Sequence, residues 1–194
     1  MNPWFAKAVI LIATAAMIVI RAPHGRKSRT VKVVKSRKGH LEVFLLTLAW
    51  IAFLLVPILW ISTSWLAFAE HPLYLLPLLV GSVLLMFSLW LFHRSHVDLG
   101  ANWSVTLELR EAHRLVTEGV YRHVRHPMYL AFLLYGLGQA IVIPNWVAGP
   151  SYAVAMALLF ALRLGPEEAL MREHFKGEYD AYEARTKKLI PGVW

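Results

Sequence analysis

Arg125-His126-Pro127-Met128-Tyr129, an apolar stretch, then Arg163 and Glu167-Glu168 are the residues of this chain whose types and spacing can do chemistry. Proline fits the first turn of a helix, where its missing N–H costs nothing. His126 is therefore expected at the N-cap, beside unpaired backbone N–H groups and the positive end of a helix dipole, a place for an anion such as a carboxylate. Tyr129 falls one turn into the same helix. Glu167 and Glu168 follow Pro166 and are expected at a helix start, where carboxylates suit the dipole. They could hold an ammonium, a sulfonium-bearing ligand or ribose hydroxyls. The same side chains also serve as interfacial anchors, caps and a snorkelling arginine, and residue type alone does not separate these readings.

The elements that position these residues are apolar. The chain is 58% hydrophobic and 16% charged, against about 45–50% apolar for an ordinary soluble domain. Five apolar runs are evident: Pro3 to Ile20, Leu41 to Thr63 with Glu42 at its edge, Pro72 to Phe92, about Pro127 to Ile143, and Trp146 to Leu162. The first three satisfy the roughly 20 residues needed to cross a bilayer. The last two are shorter and predict a helical hairpin turned at Pro144-Asn145. The expected fold is all-α: an integral membrane bundle of about five transmembrane helices with a carboxyl-terminal interfacial helix. Residues 1–97 would supply amino-terminal helices and a basic connector, and residues 98–194 the chemical core.

Basic residues follow the first run, from Arg21 to Lys38, rather than preceding it as in a signal peptide, so the first run is expected to be a retained helix. Basic residues also follow the third and fifth runs, and none lies in Ser64 to His71. The positive-inside rule then predicts an outside amino terminus and a cytoplasmic carboxyl terminus, with both halves of the chemical segment facing the cytoplasm. The net charge of +8 sits in the loops and predicts membrane lipids as partners, with no nucleic acid. Arg21 to His40 lacks periodicity and reads as a surface connector. Glu167 to Arg185 predicts one helix with Met171, Phe175, Tyr179 and Tyr182 on a single face, weakened by Gly177.

Cysteine is absent, which removes disulfides, thiolate metal sites and a catalytic thiol. His93 and His96, like His123 and His126, are three apart, but no third ligand accompanies either pair, and no metal is expected. Gly-rich phosphate loops and the Gly-x-Ser-x-Gly elbow are missing from the sequence.

Leu115-Val116-Thr117-Glu118-Gly119-Val120-Tyr121, then Arg125 to Tyr129, then Glu167-Glu168 and Phe175-Lys176-Gly177-Glu178-Tyr179-Asp180-Ala181-Tyr182 resemble the isoprenylcysteine carboxyl methyltransferase family. The resemblance covers roughly residues 98 to 191, with Asn102-Trp103 at its start. It is carried by the order and spacing of the pieces rather than by any one of them. The chain's length is similar to that of the small prokaryotic members. The resemblance implies an integral membrane methyltransferase using S-adenosylmethionine and releasing S-adenosylhomocysteine. It implies a cofactor pocket lined by His113, Arg114, Leu115, Val116, Tyr121, His126, Pro127, Met128, Tyr129 and Glu167. Glu108 stands where relatives often carry a cofactor-contacting glutamine, a departure from the family pattern. Arg163 matches the arginine associated with the acceptor carboxylate, and Arg163 and Tyr129 are the implied catalytic residues.

The implied acceptor is a lipophilic small molecule or prenylated chain ending in an isoprenylcysteine-like carboxylate, and the implied assembly is a monomer. Phospholipid amines and small thiols are acceptors of related enzymes. Two other readings use the same segments: an NADPH-dependent enzyme resembling membrane sterol reductases, which are longer, and a scaffold without turnover.

Overall fold

The computed structural model describes residues 1–28, 33–36, 39–100, 108–110, 114–190 and 192, with residues 25–28, 33–36 and 108–110 described by backbone alone. The chain runs α1 (Trp4–Ser28), β1 (Val33–Ser36), α2 (His40–Trp50), a π-helical turn (Ile51–Leu55), α3 (Val56–Ser62), α4 (Leu75–Leu99), β2 (Glu108–Arg110), a 3₁₀ turn (Gly119–Arg122), α5 (Pro127–Val142), α6 (Ser151–Phe175) and α7 (Gly177–Arg185). Among the described residues, three helical stretches are long and apolar enough to cross a membrane: Trp4–His24, His40–Ser62 and Leu75–Leu99. These correspond to the first three predicted runs. Pro127–Val142 is a shorter apolar helix. Outward side chains such as Ile12, Val19, Leu76, Val83 and Met86 are exposed, as lipid-facing side chains are.

The second run is a continuous helical rod with one defect. Pro57 cannot donate a backbone hydrogen bond, and the π-turn Ile51–Leu55 lies just before it. Wider turns of this kind absorb a missing bond without breaking the helix.

Helix α5 is clamped between α4 and α6 through residues too small to hold the helices apart. A Cβ added to Gly138 would lie 2.8 Å from Leu85 Cγ on α4, and one added to Gly136 would lie 2.7 Å from Ala153 Cα on α6. Close approach through small residues is the means by which membrane helices gain dispersion energy, since lipid is as apolar as their side chains. Gly136→Ala should therefore force α5 and α6 apart. An overpacking cost of about 1–3 kcal/mol is expected, read as a lowered thermal midpoint in detergent.

At the end of α5, Gln139 is fully buried and donates to the carbonyls of Ala148 (2.9 Å) and Gly149 (3.3 Å). Asn145 Oδ1 accepts from the N–H groups of Val147 and Ala148, at 3.0 and 2.9 Å. Its Nδ2 donates to the carbonyl of Leu66 at 2.7 Å. The predicted turn at Pro144-Asn145 is thus an Asx-type turn that also ties down the loop before α4.

The fold is all-α in class, with one short antiparallel pairing beside the helices, β1 with β2, Val33 opposite Arg110 and Ser36 opposite Glu108. Part of the connector is accordingly a strand, paired with a segment remote in sequence. Two local expectations are corrected. Pro166 does not start a helix but lies inside α6, which is continuous from Ser151 to Phe175. The tail is not one helix: it breaks at Lys176, whose φ of 47° is the positive-φ conformation that favours glycine. Gly177 begins the next helix rather than interrupting one.

Candidate functional site

His126 is the N-cap of α5 and Pro127 its first residue. The cap makes no side-chain bond to the helix end, so its ring is available for other partners. His126 Nε2 lies 3.4 Å from Glu168 Oε1, and its Nδ1 lies 3.9 Å from Glu167 Oε1. Backbone N–H groups of Arg125 and His126 donate to the carbonyls of Lys187 and Lys188, at 2.8 and 3.0 Å. The carboxyl-terminal segment is thereby laid across the start of α5.

Glu168 is the hub of this junction, with only 2% of its side chain exposed. Arg125 donates to it from Nε at 3.2 Å and from Nη2 at 2.8 Å. Lys188 Nζ lies 3.1 Å away and Arg172 3.7 Å away. Burial alone would raise the Glu168 pKa, but contacts from His126, Arg125 and Lys188 outweigh it and hold the carboxyl well below its ordinary value. Arg125 is itself buried; it also meets Glu183 Oε1 at 3.0 Å and the carbonyl of Thr186. Burial raises the Tyr182 hydroxyl, which stays protonated and donates to the carbonyl of Tyr121 at 2.6 Å. These contacts fasten α7 over the start of α5.

Glu167 is the neighbouring carboxylate with a different environment. Tyr129 donates to its Oε2 at 2.6 Å, and Arg163 Nε lies 3.7 Å from the same atom. Tyr129 is buried and its ring packs on His126 and Phe160. Arg163 also reaches across to α2, where its Nη2 lies 3.5 Å from Glu42 Oε1. The i, i+4 spacing of Arg163 and Glu167 places both on one face of unbroken α6.

That face borders a cavity of about 220 Å³. Arg114, Leu115, Val116, Tyr121, His126, Pro127, Met128, Tyr129, Arg163 and Glu167 all line it. The two halves of the chemical segment are therefore brought together, as the sequence predicts. Met171, Phe175, Tyr179 and Tyr182 line it too, so the predicted apolar face survives the break at Lys176. His113 lies outside the described residues, and Glu108 is described only as backbone in β2.

The other end of the cavity is walled by α1, α2, the π-turn, α5 and α6, including Met17, Leu46, Phe53, Phe132, Tyr152 and Met156. Arg21 and Trp50 also border it, with the Arg21 guanidinium 5.5 Å from the centre of the Trp50 ring. Sequence reading assigned none of these amino-terminal residues, because an apolar span shows nothing of which face will meet a cavity. The result is one continuous space with a polar end at α5, α6 and the tail, and a mainly apolar end among the spans, where Arg21 adds a guanidinium. Among the described residues no group of acidic and histidine side chains could hold a metal ion.

Residues 83–173 match the profile of the isoprenylcysteine carboxyl methyltransferase (ICMT) family. The chain is 25% identical over 191 residues to a protein of Oryza sativa subsp. indica named "Probable protein-S-isoprenylcysteine O-methyltransferase", covering 97% of this chain and 95% of that one. It is 32% identical over 99 residues to protein-S-isoprenylcysteine O-methyltransferase B of Arabidopsis thaliana, covering half of each chain. Among solved structures it is similar to the eukaryotic intramembrane Ras methyltransferase ICMT, with a TM-score of 0.53 and 24% identity. That likeness covers 81% of this chain and 55% of the other, and shows a shared fold.

Proposed function

We propose that this chain, whose residues 83–173 match the isoprenylcysteine carboxyl methyltransferase family profile, is an integral membrane S-adenosylmethionine-dependent methyltransferase acting on the carboxylate of an isoprenylcysteine-like lipophilic acceptor. The observation that carries this reading is the single cavity with two unlike ends. A hydrophilic, charged donor and a lipid-like acceptor need such a space to meet.

The polar end fits S-adenosylmethionine by its chemistry. Glu167 supplies a carboxylate for a cationic amino group or ribose hydroxyls, oriented by the Tyr129 hydroxyl. Leu115, Val116 and Met128 supply apolar walls, and Tyr121, Tyr179 and Tyr182 aromatic ones. The positive end of the α5 dipole suits the donor's carboxylate. We extend the assignment to His113 and Glu108 by the family pattern alone. When bound, S-adenosylmethionine supplies a methyl group on an electrophilic sulfonium.

The protein's part is positioning. A carboxylate acceptor is already ionised and needs no base. Arg163 would orient it beside the donor side of the cavity, and Tyr129 would hold Glu167 and close one wall. Fixing both partners in line can contribute about 7–11 kcal/mol through effective molarity. Arg163 and Tyr129 are thus the proposed catalytic residues. The tail, fastened by Arg125, Glu168 and Tyr182, would keep water from the reacting atoms.

This reading includes five spans with α5 and α6 as the last two, an outside amino terminus, a cytoplasmic cofactor site and a monomer in lipid. It also divides the chain into residues 1–97, which wall the apolar end, and residues 98–194, which hold the donor. Calorimetry tests it. The purified protein in detergent is expected to bind S-adenosylhomocysteine at one site and not to bind NADPH. Saturable NADPH binding would favour the reductase-like reading, and no binding of either would favour a scaffold. A screen with labelled donor then separates carboxylate acceptors from phospholipid amines and thiols.

A further inference from the structure

Glu42 is an acid where hydrocarbon would be expected. It lies in the first turn of α2, inside the stretch His40–Ser62 that is apolar enough to span a membrane. An acid in a first turn suits the helix dipole, but that does not require burial, and Glu42 is only 9% exposed. A buried carboxylate at a membrane helix is costly unless it is paired and has a task. Its partner is Arg163 on α6, at 3.5 Å.

The position of this pair relative to the cavity is informative. Arg163 borders the main cavity and Glu42 does not. Both border a second, smaller cleft between α2 and α6, walled by Leu41, Leu45, Leu159 and Leu162. Glu42 therefore meets the guanidinium from behind, on the side away from the donor end. Glu167 meets the same guanidinium from within the cavity, at 3.7 Å. One cation is shared between two carboxylates, one facing the reaction and one not.

We propose that Glu42 is a positioning residue that tempers Arg163. It draws the guanidinium away from the cavity and offsets part of its positive charge. This rests on the methyltransferase reading above. In that reaction an acceptor carboxylate oxygen forms a bond to the methyl carbon as the S–CH₃ bond breaks. The electron pair of that bond stays on sulfur, leaving a neutral thioether and a neutral ester, and no proton moves. The acceptor's negative charge is thus spent on the way to the transition state. A cation that grips the carboxylate tightly stabilises the ground state more than the transition state, and such binding slows the chemical step. A fork shared with Glu42 can orient the acceptor without holding it so firmly that its oxygen loses nucleophilicity.

The test is a split of the kinetic constants in Glu42→Gln, which keeps the shape and removes the charge. With a farnesylated cysteine acceptor in detergent, the acceptor KM and kcat are both expected to fall, each by about fivefold, so that kcat/KM changes little. Glu42→Asp, with its charge one methylene further back, is expected to shift both constants downward by a smaller factor. S-adenosylhomocysteine affinity, measured by calorimetry on the same samples, should match wild type in both variants.

A residue that only braced the helices would lower kcat or stability without tightening acceptor binding. An unchanged or raised acceptor KM in the glutamine variant overturns the inference. Where that variant fails to fold, the aspartate variant decides by the same criterion. A wild-type protein that binds S-adenosylhomocysteine and methylates the acceptor keeps the proposed function standing whichever way Glu42 falls. A wild type without turnover overturns both.

Discussion

Glu168→Ala should lower the stability of the folded protein by about 3–5 kcal/mol, the cost of removing one partner from a buried ion pair. The alanine leaves Arg125, whose side chain is 4% exposed, without its closest carboxylate contact, at 2.8 Å. Glu183 and the Thr186 carbonyl remain to Arg125, which places the expected loss toward the lower end of that range. Replacing both partners by apolar residues, as in Arg125→Met with Glu168→Leu, is expected to recover part of it, because no charge is then stranded.

The pH dependence has a definite sign. The folded-state pKa of Glu168 is held below its ordinary value, so the folded form favours the ionised carboxylate. Its contribution is complete above the ordinary carboxyl range and is lost as pH falls below it, progressively beneath about pH 4–5. A thermal-midpoint series from neutral pH downward should show the wild type losing stability in acid, with a flatter acid limb in Glu168→Gln. Equal slopes in the two proteins would remove Glu168 from the account.

The second large effect is on activity. Arg163→Ala is expected to reduce methyl transfer about 10²-fold or more, the scale associated with misplacing a reacting group by roughly 1 Å. The arginine stands between Glu42 and Glu167, so its removal also leaves the acceptor's carboxylate to enter beside Glu167 with this cation gone. Arg163→Lys keeps the charge but loses the planar fork, and should restore only part of the rate. S-adenosylhomocysteine binding should persist in both, since Tyr129 still orients Glu167. Full turnover in a folded Arg163→Ala protein would remove Arg163 from the acceptor site.

Much of this site is legible in the residues themselves. A histidine before a proline marks a helix start, and His126 caps α5 as expected. The long apolar runs give the first three membrane-length helices. The positions of Met171, Phe175, Tyr179 and Tyr182 on one cavity wall follow from helical spacing even though the helix breaks. What is not legible depends on packing or on distant pairing. A proline ordinarily ends a helix, yet α6 runs through Pro166 from Ser151 to Phe175. Glu42 reads as a blemish at the edge of a span until α6 brings Arg163 beside it. The pairing of β1 with β2 joins segments more than seventy residues apart, and no local pattern announces it. At Lys176-Gly177, glycine is the obvious residue for a positive φ, and lysine adopts it instead.

The unbroken course of α6 has a metrical consequence. Tyr152 and Met156 stand at one end of the cavity, Arg163 and Glu167 further along, and Met171 and Phe175 at the other end, all on this one helix. A helix rises about 1.5 Å per residue, so Tyr152 and Arg163 are separated by roughly 16 Å along its axis. Those intervals are fixed by covalent geometry and backbone hydrogen bonds, not by how separate pieces happen to dock. Temperature or a change of lipid can shift neighbouring helices and widen the space. It cannot alter the graduations along α6, which in the proposed reaction would be the scale against which both reactants are set.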